Sequence, residues 1–176
     1  MTQMMLSAPR LETERLILRG PEESDFDAVK AFMTSERTKF IGGKTASEWE
    51  AWRGFLGSIG HWALRGYGFF TVLDKVGNRL GRVGLLNHVM WPEPELGWHM
   101  FDGSEGKGFA YEAAMAIRDW AAKERKLDRL ISQIHPDNAR SIALAERMGA
   151  TLEKETTLLG DPCLIYRHPS VAGGAA

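Results

Sequence analysis

From Tyr67 onward the apolar residues alternate as they do in strands, in three successive runs over residues 68–73, 80–89 and 95–101. Short turns at residues 74–78 and around Pro92 and Pro94 join them, too short for a parallel crossover, so the runs predict an antiparallel meander. The last run feeds Asp102-Gly103-Ser104-Glu105-Gly106-Lys107-Gly108, after which the period becomes that of a helix striped with Phe109, Ala113, Ile117 and Trp120. A glycine loop therefore joins a strand to a helix. Gly106 and Gly108 let the backbone turn tightly with N–H groups exposed, and these, with the positive end of the helix, suit a pyrophosphate. Neither common nucleotide fingerprint fits. Tyr111 stands where the dinucleotide motif has its third glycine, and the strands before it form a meander rather than a βαβ unit. Gly108, not Ser or Thr, follows Lys107, and no glycine lies five places before Gly106, so the triphosphate loop fails as well.

Residues 10–19 read as a first strand, Leu16 and Leu18 on one face and Ile17 on the other, ended by Gly20-Pro21. Ser24 or Asp25 can accept hydrogen bonds at the start of a helix running to Met33, with Phe26, Val29, Phe32 and Met33 on its apolar side. A second helix, residues 46–64, starts after Thr45. Its Trp49, Trp52, Phe55, Leu56 and Ile59 recur every three or four residues and make one apolar face, for core or for a pocket wall. Beyond the glycine loop and its helix, residues 129–135 read as a strand and residues 138–148 as a helix capped by Asn138 and closed by Gly149. Two strands, 151–157 and 162–168, finish the domain. The fold expected is mixed α/β: one domain over residues 10–168, with a central, mostly antiparallel twisted sheet of about seven strands flanked by helices. Residues 1–9 are expected as a leader and residues 169–176 as a flexible tail.

A chain of 176 residues suits one core and one active site. Its 22 basic and 23 acidic residues are interspersed, so no phosphate-neutralising stripe points to nucleic acid. Eighteen apolar residues never run together, and the N-terminus lacks a basic region followed by an apolar one, so neither a membrane span nor secretion is expected. Cys163, the one cysteine, cannot form an internal disulfide, which suits the cytoplasm. Beside Pro162 it reads as a small packing residue. His61, His88, His99, His135 and His168 have no metal-ligand spacing, so no metal is expected.

The segment Glu105-Gly106-Lys107-Gly108-Phe109-Ala110 resembles the acetyl-CoA motif of the GNAT superfamily, Gln/Arg-x-x-Gly-x-Gly/Ala. The superfamily's downstream motif, Asn-x-x-Ala-x-x-Leu-Tyr-x-Lys-x-Gly-Phe, is met by Asn138, Ser141, Leu144, Ala145, Arg147, Gly149 and Ala150. Thr13 to Arg19 with Asp25, Glu95-Leu96-Gly97-Trp98 and Glu112-Ala113 are similar to the branch that acetylates the N-termini of ribosomal proteins. The likeness spans roughly residues 10 to 168. Three departures matter. Glu105 replaces Gln or Arg and brings negative charge to a phosphate site, with Lys107 near enough in sequence to offset it. Ala145 replaces the tyrosine that in many GNAT enzymes protonates the departing thiolate, and Ser141 is the natural substitute. Ala150 replaces Phe, a change of packing.

The resemblance implies transfer of an acetyl group from acetyl-CoA to a primary amine, either a protein N-terminal α-amine or a small-molecule amine. The acyl-CoA would bind on Trp98, His99, Met100, the 105–110 loop, Asn138 and Ser141. Backbone N–H groups of Trp98 to Met100 would pair with the pantetheine arm, and one of them would stabilise the oxyanion. Only a neutral amine attacks a thioester, so a base is needed. Glu95 is the candidate, directly or through water, with His99 on the same strand face as the alternative. Ser141 would supply the proton to the thiolate. A non-catalytic acyl-CoA-binding or interaction domain with the same fold is the rival reading, which Glu105 and Ala145 favour. The acceptor's identity is left open, and the protein is expected as a monomer or homodimer.

Overall fold

The structure, a computed structural model, describes residues 8–171. Residues 1–7 of the expected leader and 172–176 of the expected tail lie outside that range. The described tail residues Ser170 and Val171 are held on the Asp128 carboxylate. The chain runs β1 (Leu11–Glu12), β2 (Leu16–Arg19), α1 (Phe26–Met33), α2 (Glu48–Arg65), β3 (Phe69–Asp74), β4 (Arg79–Leu86), β5 (Glu95–Met100), α3 (Phe109–Arg125), β6 (Ile131–Ile134), α4 (Ala139–Arg147), β7 (Thr151–Leu158) and β8 (Asp161–Arg167). All strands join one sheet in the order β1-β2-β3-β4-β5-β6-β8-β7. Every pairing is antiparallel except β5 with β6.

Eight strands replace the seven expected because residues 10–19 fold back on themselves. Leu11 pairs with Leu18 and Glu12 with Ile17. The Thr13 hydroxyl accepts from Leu16 N–H at 3.1 Å and donates to Glu112 at 2.6 Å, which fixes the turn. Strand period two then divides the sheet. Leu16, Leu18, Phe70, Val72, Val83, Leu85 and Leu96 are buried against Ala113, Ala114, Ile117 and Trp120 of α3. Each full side-chain burial of this kind contributes about 1.5–3 kcal/mol. Gly84 is required where β3 and β4 close together, because a Cβ there would stand 2.1 Å from the Gly68 carbonyl oxygen. The opposite face carries Arg19, Thr71, Arg82, His99, Gly97 and Glu95, over which Val29, Phe32 and Phe55 of α1 and α2 cluster with Phe101.

Two local expectations are corrected. Asp25 does not cap α1: its buried carboxylate binds Arg19 at 2.8 Å, Arg79 at 2.6 Å, Thr71 at 2.7 Å and the Glu22 N–H at 2.9 Å. These partners hold it well below the usual carboxylate range against the opposing effect of burial, the largest of the influences on it. On α2 the expected single apolar face splits. Phe55 is buried, but Trp49 and Leu56 are 66% and 45% exposed, since the helix turns its Ala51, Phe55 and Trp62 side inward. Ser47 accepts from Glu50 N–H at the start of the helix.

Candidate active site

β5 and β6 meet at one register pair, Glu95 with Ile131, and no further pairing follows along the two strands. Past that pair they part. β5 is antiparallel to β4 on its other side, and Phe101 N–H donates to Leu80 O there, so the backbone N–H and C=O groups of odd-numbered residues point to β4 and those of even-numbered ones to the gap. Two carbonyls on the gap side are taken: Leu96 O by the Ser132 hydroxyl at 2.7 Å and Met100 O by Arg37 at 2.9 Å. The N–H groups of Trp98 and Met100 remain turned into the gap. His99 N–H faces β4 instead, so of the three expected backbone donors only two can meet a ligand.

Glu95 opens β5 with its carboxylate in the wedge between the strands. It accepts from Trp91 Nε1, from Gln133 N–H at 3.3 Å and from Gln133 Nε2 at 3.2 Å. Burial nevertheless dominates and pushes its pKa up to about 6. His99, the alternative base, lies between Phe32, which stacks on it, and the tilted ring of Phe69, with centroids 5.1 and 4.9 Å away. Burial first, and then the Arg82 charge 3.2 Å from Nδ1, hold it well below the ordinary imidazole value. It is neutral. Cys163 lies on the same cleft, its thiol pushed up by burial and by Glu95.

Asn138 caps α4 by accepting from Ser141 N–H at 3.3 Å. Ser141 Oγ in turn accepts from Trp98 Nε1 at 3.1 Å, which leaves the serine's own proton free to be donated. Ala145 is fully buried in a cluster with Ile134, Ala150 and Tyr166, against which Trp98 packs. The indole that packs on this cluster also delivers the hydrogen bond to Ser141.

The glycine loop behaves as its residues require. Gly106 and Gly108 have φ of +71° and +79°, and no side chain caps α3, so N–H groups of its first turn face outward unbonded. The charge balance around Glu105 differs from the sequence reading. Arg37 pairs directly with its carboxylate and Arg140 lies 3.9 Å away, while Lys107 donates to Gly103 O at 2.7 Å and merely braces the loop. Arg37 carried no local motif and escaped detection. Arg15 also braces the loop, through Lys107 O at 3.0 Å and Glu112 at 2.6 Å.

Two clefts result. One of about 760 Å³ runs along Met100, the 105–110 backbone, Arg37, Arg140 and Arg147. The other, about 890 Å³, lies over the opposite side, with Glu95, Arg82, His61 and His88 in its wall. They share Phe40, Ile41, Trp98, His99, Asn138 and Ser141. Gly54, Gly57 and Gly60 give α2 a bare flank along the larger cleft, at a cost of about 1 kcal/mol of helix stability each. His61 is structural, bonded to Tyr67 O at 2.7 Å and Asn87 N–H at 2.9 Å. Among the described residues no three His, Cys, Asp or Glu side chains are grouped to hold a metal ion, and no helix is long and apolar enough to cross a membrane.

Comparison with known proteins agrees with this arrangement. A solved acetyltransferase from Agrobacterium tumefaciens str. C58 is 36% identical, with a TM-score of 0.85 over 96% of this chain and 98% of its own. The uncharacterized protein YkkB of Bacillus subtilis (strain 168) is 27% identical over 94% of this chain and 99% of its own. RimL, a ribosomal L7/L12 α-N-protein acetyltransferase solved in complex with coenzyme A, is 19% identical with a TM-score of 0.78 over 93% and 99% of the two chains, a likeness of fold. The family model described as acetyltransferase (GNAT) domain matches residues 15–151. With the splayed β5–β6 pair and the glycine loop at the start of α3, the chain belongs to the GNAT acetyltransferase family.

Proposed function

We propose that the protein transfers an acetyl group from acetyl-CoA to a primary amine by direct attack of the amine on the thioester. The observation that carries this reading is the meeting of two clefts at Trp98 and Ser141, with a buried carboxylate of pKa about 6 on one side of the junction. The smaller cleft fits the donor. Free N–H groups of Gly106 to Ala110 and the cations Arg37, Arg140 and Arg147 suit its phosphates, and the Trp98 and Met100 N–H groups suit its amide arm. When bound, the donor supplies an activated acetyl carbonyl at the junction.

Glu95 removes the proton of the amine, directly or through a water. A base of pKa about 6 is ionised at neutral pH and still strong enough to take part in proton transfer. The Trp98 N–H, pre-aimed at the gap, stabilises charge developing on the carbonyl oxygen. Ser141 supplies a proton to the departing thiolate, its hydroxyl hydrogen left free by the bond from Trp98 Nε1. His99 is held neutral by burial and by Arg82, and it serves as wall rather than base. The acceptor is an α-amine of a protein or a small-molecule amine, and a cytoplasmic enzyme is the setting this reading implies.

The test is release of free thiol from acetyl-CoA in the presence of a panel of amines and short peptides. Amine-dependent thiol release is expected. Acetyl-CoA affinity in calorimetry without thiol release from any acceptor would replace the reaction by a binding role.

A further inference from the structure

On the face of the sheet that bears Glu95, four polar residues stand in register across four strands: Arg19, Thr71, Arg82 and His99. Asp25 accounts for the first two, taking Arg19 at 2.8 Å and the Thr71 hydroxyl at 2.7 Å, and with Arg79 at 2.6 Å it already holds two guanidinium groups. Arg82 is different. It is only 8% exposed, yet among the described residues no carboxylate lies within ion-pair distance of it. Its Nη2 touches the Met33 Sδ at 3.5 Å, a weak acceptor, and the His99 Nδ1 at 3.2 Å, an uncharged one, and its guanidinium lies 4.9 Å from the Phe69 ring centroid. Nε has no partner. Burial lowers its pKa to about 10, which leaves it charged at neutral pH. A guanidinium kept in an apolar wall without a counter-ion is unfavourable unless something else arrives to pair with it.

That wall belongs to the larger cleft, which also holds Glu95. Glu95 and His99 are four residues apart on β5, and Arg82 is the neighbour of His99 across the sheet. Gly97 lies midway, so an amine approaching over it has Glu95 about 7 Å one way along the strand and the Arg82 row about 7 Å the other. We propose that the acceptor is dipolar: a primary amine carrying a carboxylate a few bonds away, with the amine directed to Glu95 and the carboxylate seated on the Arg82 guanidinium. The guanidinium fork matches a carboxylate with two parallel hydrogen bonds, which an uncharged acceptor end cannot supply. This inference rests on the acetyl transfer proposed above and narrows its substrate class. An amino acid and a peptide with an acidic side chain beside its N-terminus both present this chemistry.

The experiment uses matched acceptors: a free amino acid against its amide, and a short peptide with Glu as first residue against the same peptide with Gln. Thiol release from acetyl-CoA and calorimetric binding are measured for each. The carboxylate member of at least one pair is expected to be favoured by about ten- to a hundredfold in kcat/KM, mainly through KM. Arg82→Gln should bring that ratio close to one, and Arg82→Lys should restore part of it. Equal use of both members of each pair by the wild type overturns the inference while leaving acetyl transfer intact, as does a preference that survives Arg82→Gln. So does faster use of a dicarboxylic acyl-CoA than of acetyl-CoA, lost in Arg82→Gln, because Arg82 would then read the donor. If no acceptor releases thiol but the carboxylate members still bind more tightly, and only when Arg82 is present, the reaction fails and the anion site stands. Should Arg82→Gln not fold, the wild-type ratios and the Lys variant decide the case.

Discussion

Replacing Glu95 by Gln separates the proton relay from packing, because the two side chains have the same shape and differ in charge. In the folded protein the carboxyl titrates at about 6 against an ordinary 4.5, since burial outweighs the bonds from Trp91 and Gln133. Between about pH 4.5 and 6 the folded chain keeps a proton that the unfolded chain has released, so the residue's contribution to stability falls as pH rises through that window. The gap of about 1.5 pH units, at about 1.4 kcal/mol each, is worth about 2 kcal/mol. Gln has no such dependence. Its amide NH2 meets the Gln133 N–H, one donor facing another, but that cost of about 1 kcal/mol is the same at every pH and cancels in the comparison.

Urea denaturation of both proteins at about pH 4 and about pH 7.5 measures the effect. The variant should gain about 2 kcal/mol relative to the wild type on going to the higher pH. Turnover should fall by about a hundredfold to ten-thousandfold at neutral pH and recover in part toward the amine pKa, where the acceptor arrives already neutral. Parallel stability curves would show that Glu95 is not desolvated as described. Near-normal turnover at neutral pH would remove it from the mechanism.

Ser141→Ala should lower turnover within the same range of about a hundredfold to ten-thousandfold, with donor affinity nearly intact and no rescue by alkaline pH. Its defect should shrink with a donor analogue whose thiol is more acidic, and equal defects with both donors would count against a proton from Ser141. Gly108→Val should sharply weaken donor binding in calorimetry, because φ there is +79° and a Cβ would come within 3.4 Å of Arg15 Nη2; full affinity in a folded variant would contradict the loop assignment. Fully buried His168 has its pKa lowered to about 4 by burial and then by Arg118 and Arg167, while Ser132 occupies only its Nε2. The unfolded chain takes this proton below about pH 6.5 and the folded chain only near 4, so about 3 kcal/mol should be lost as pH falls through that window. His168→Leu should lose that component in the same denaturation series.

What could be read from the sequence was what neighbours along the chain decide. The β3–β5 meander, the glycine loop, the α3 stripe and the Asn138 cap all depend on residues within about one turn or one strand of each other, where period and capping chemistry act. The errors share one cause, partners supplied by topology. Asp25 looked like a cap because its local sequence offers a helix start, but Thr71 and Arg79, 46 and 54 positions away, hold it instead. Glu105 looked offset by Lys107, its near neighbour in sequence, but Arg37 pairs with it once α1 has been laid over the sheet.

Ala145 gives the clearest case. As a lone letter in a motif it reads as a missing tyrosine, and so as a reason to doubt turnover. In the fold it is fully buried in a cluster against which Trp98 packs, and the Trp98 indole hydrogen-bonds Ser141 across 43 positions of sequence. In a core packed at near-crystalline density a small residue fits there, whereas a larger ring would have to displace its neighbours. Under the proposed transfer, with Ser141 as the acid, the proton source stands one helical turn from the position the alanine holds, on a hydroxyl that the Trp98 indole orients.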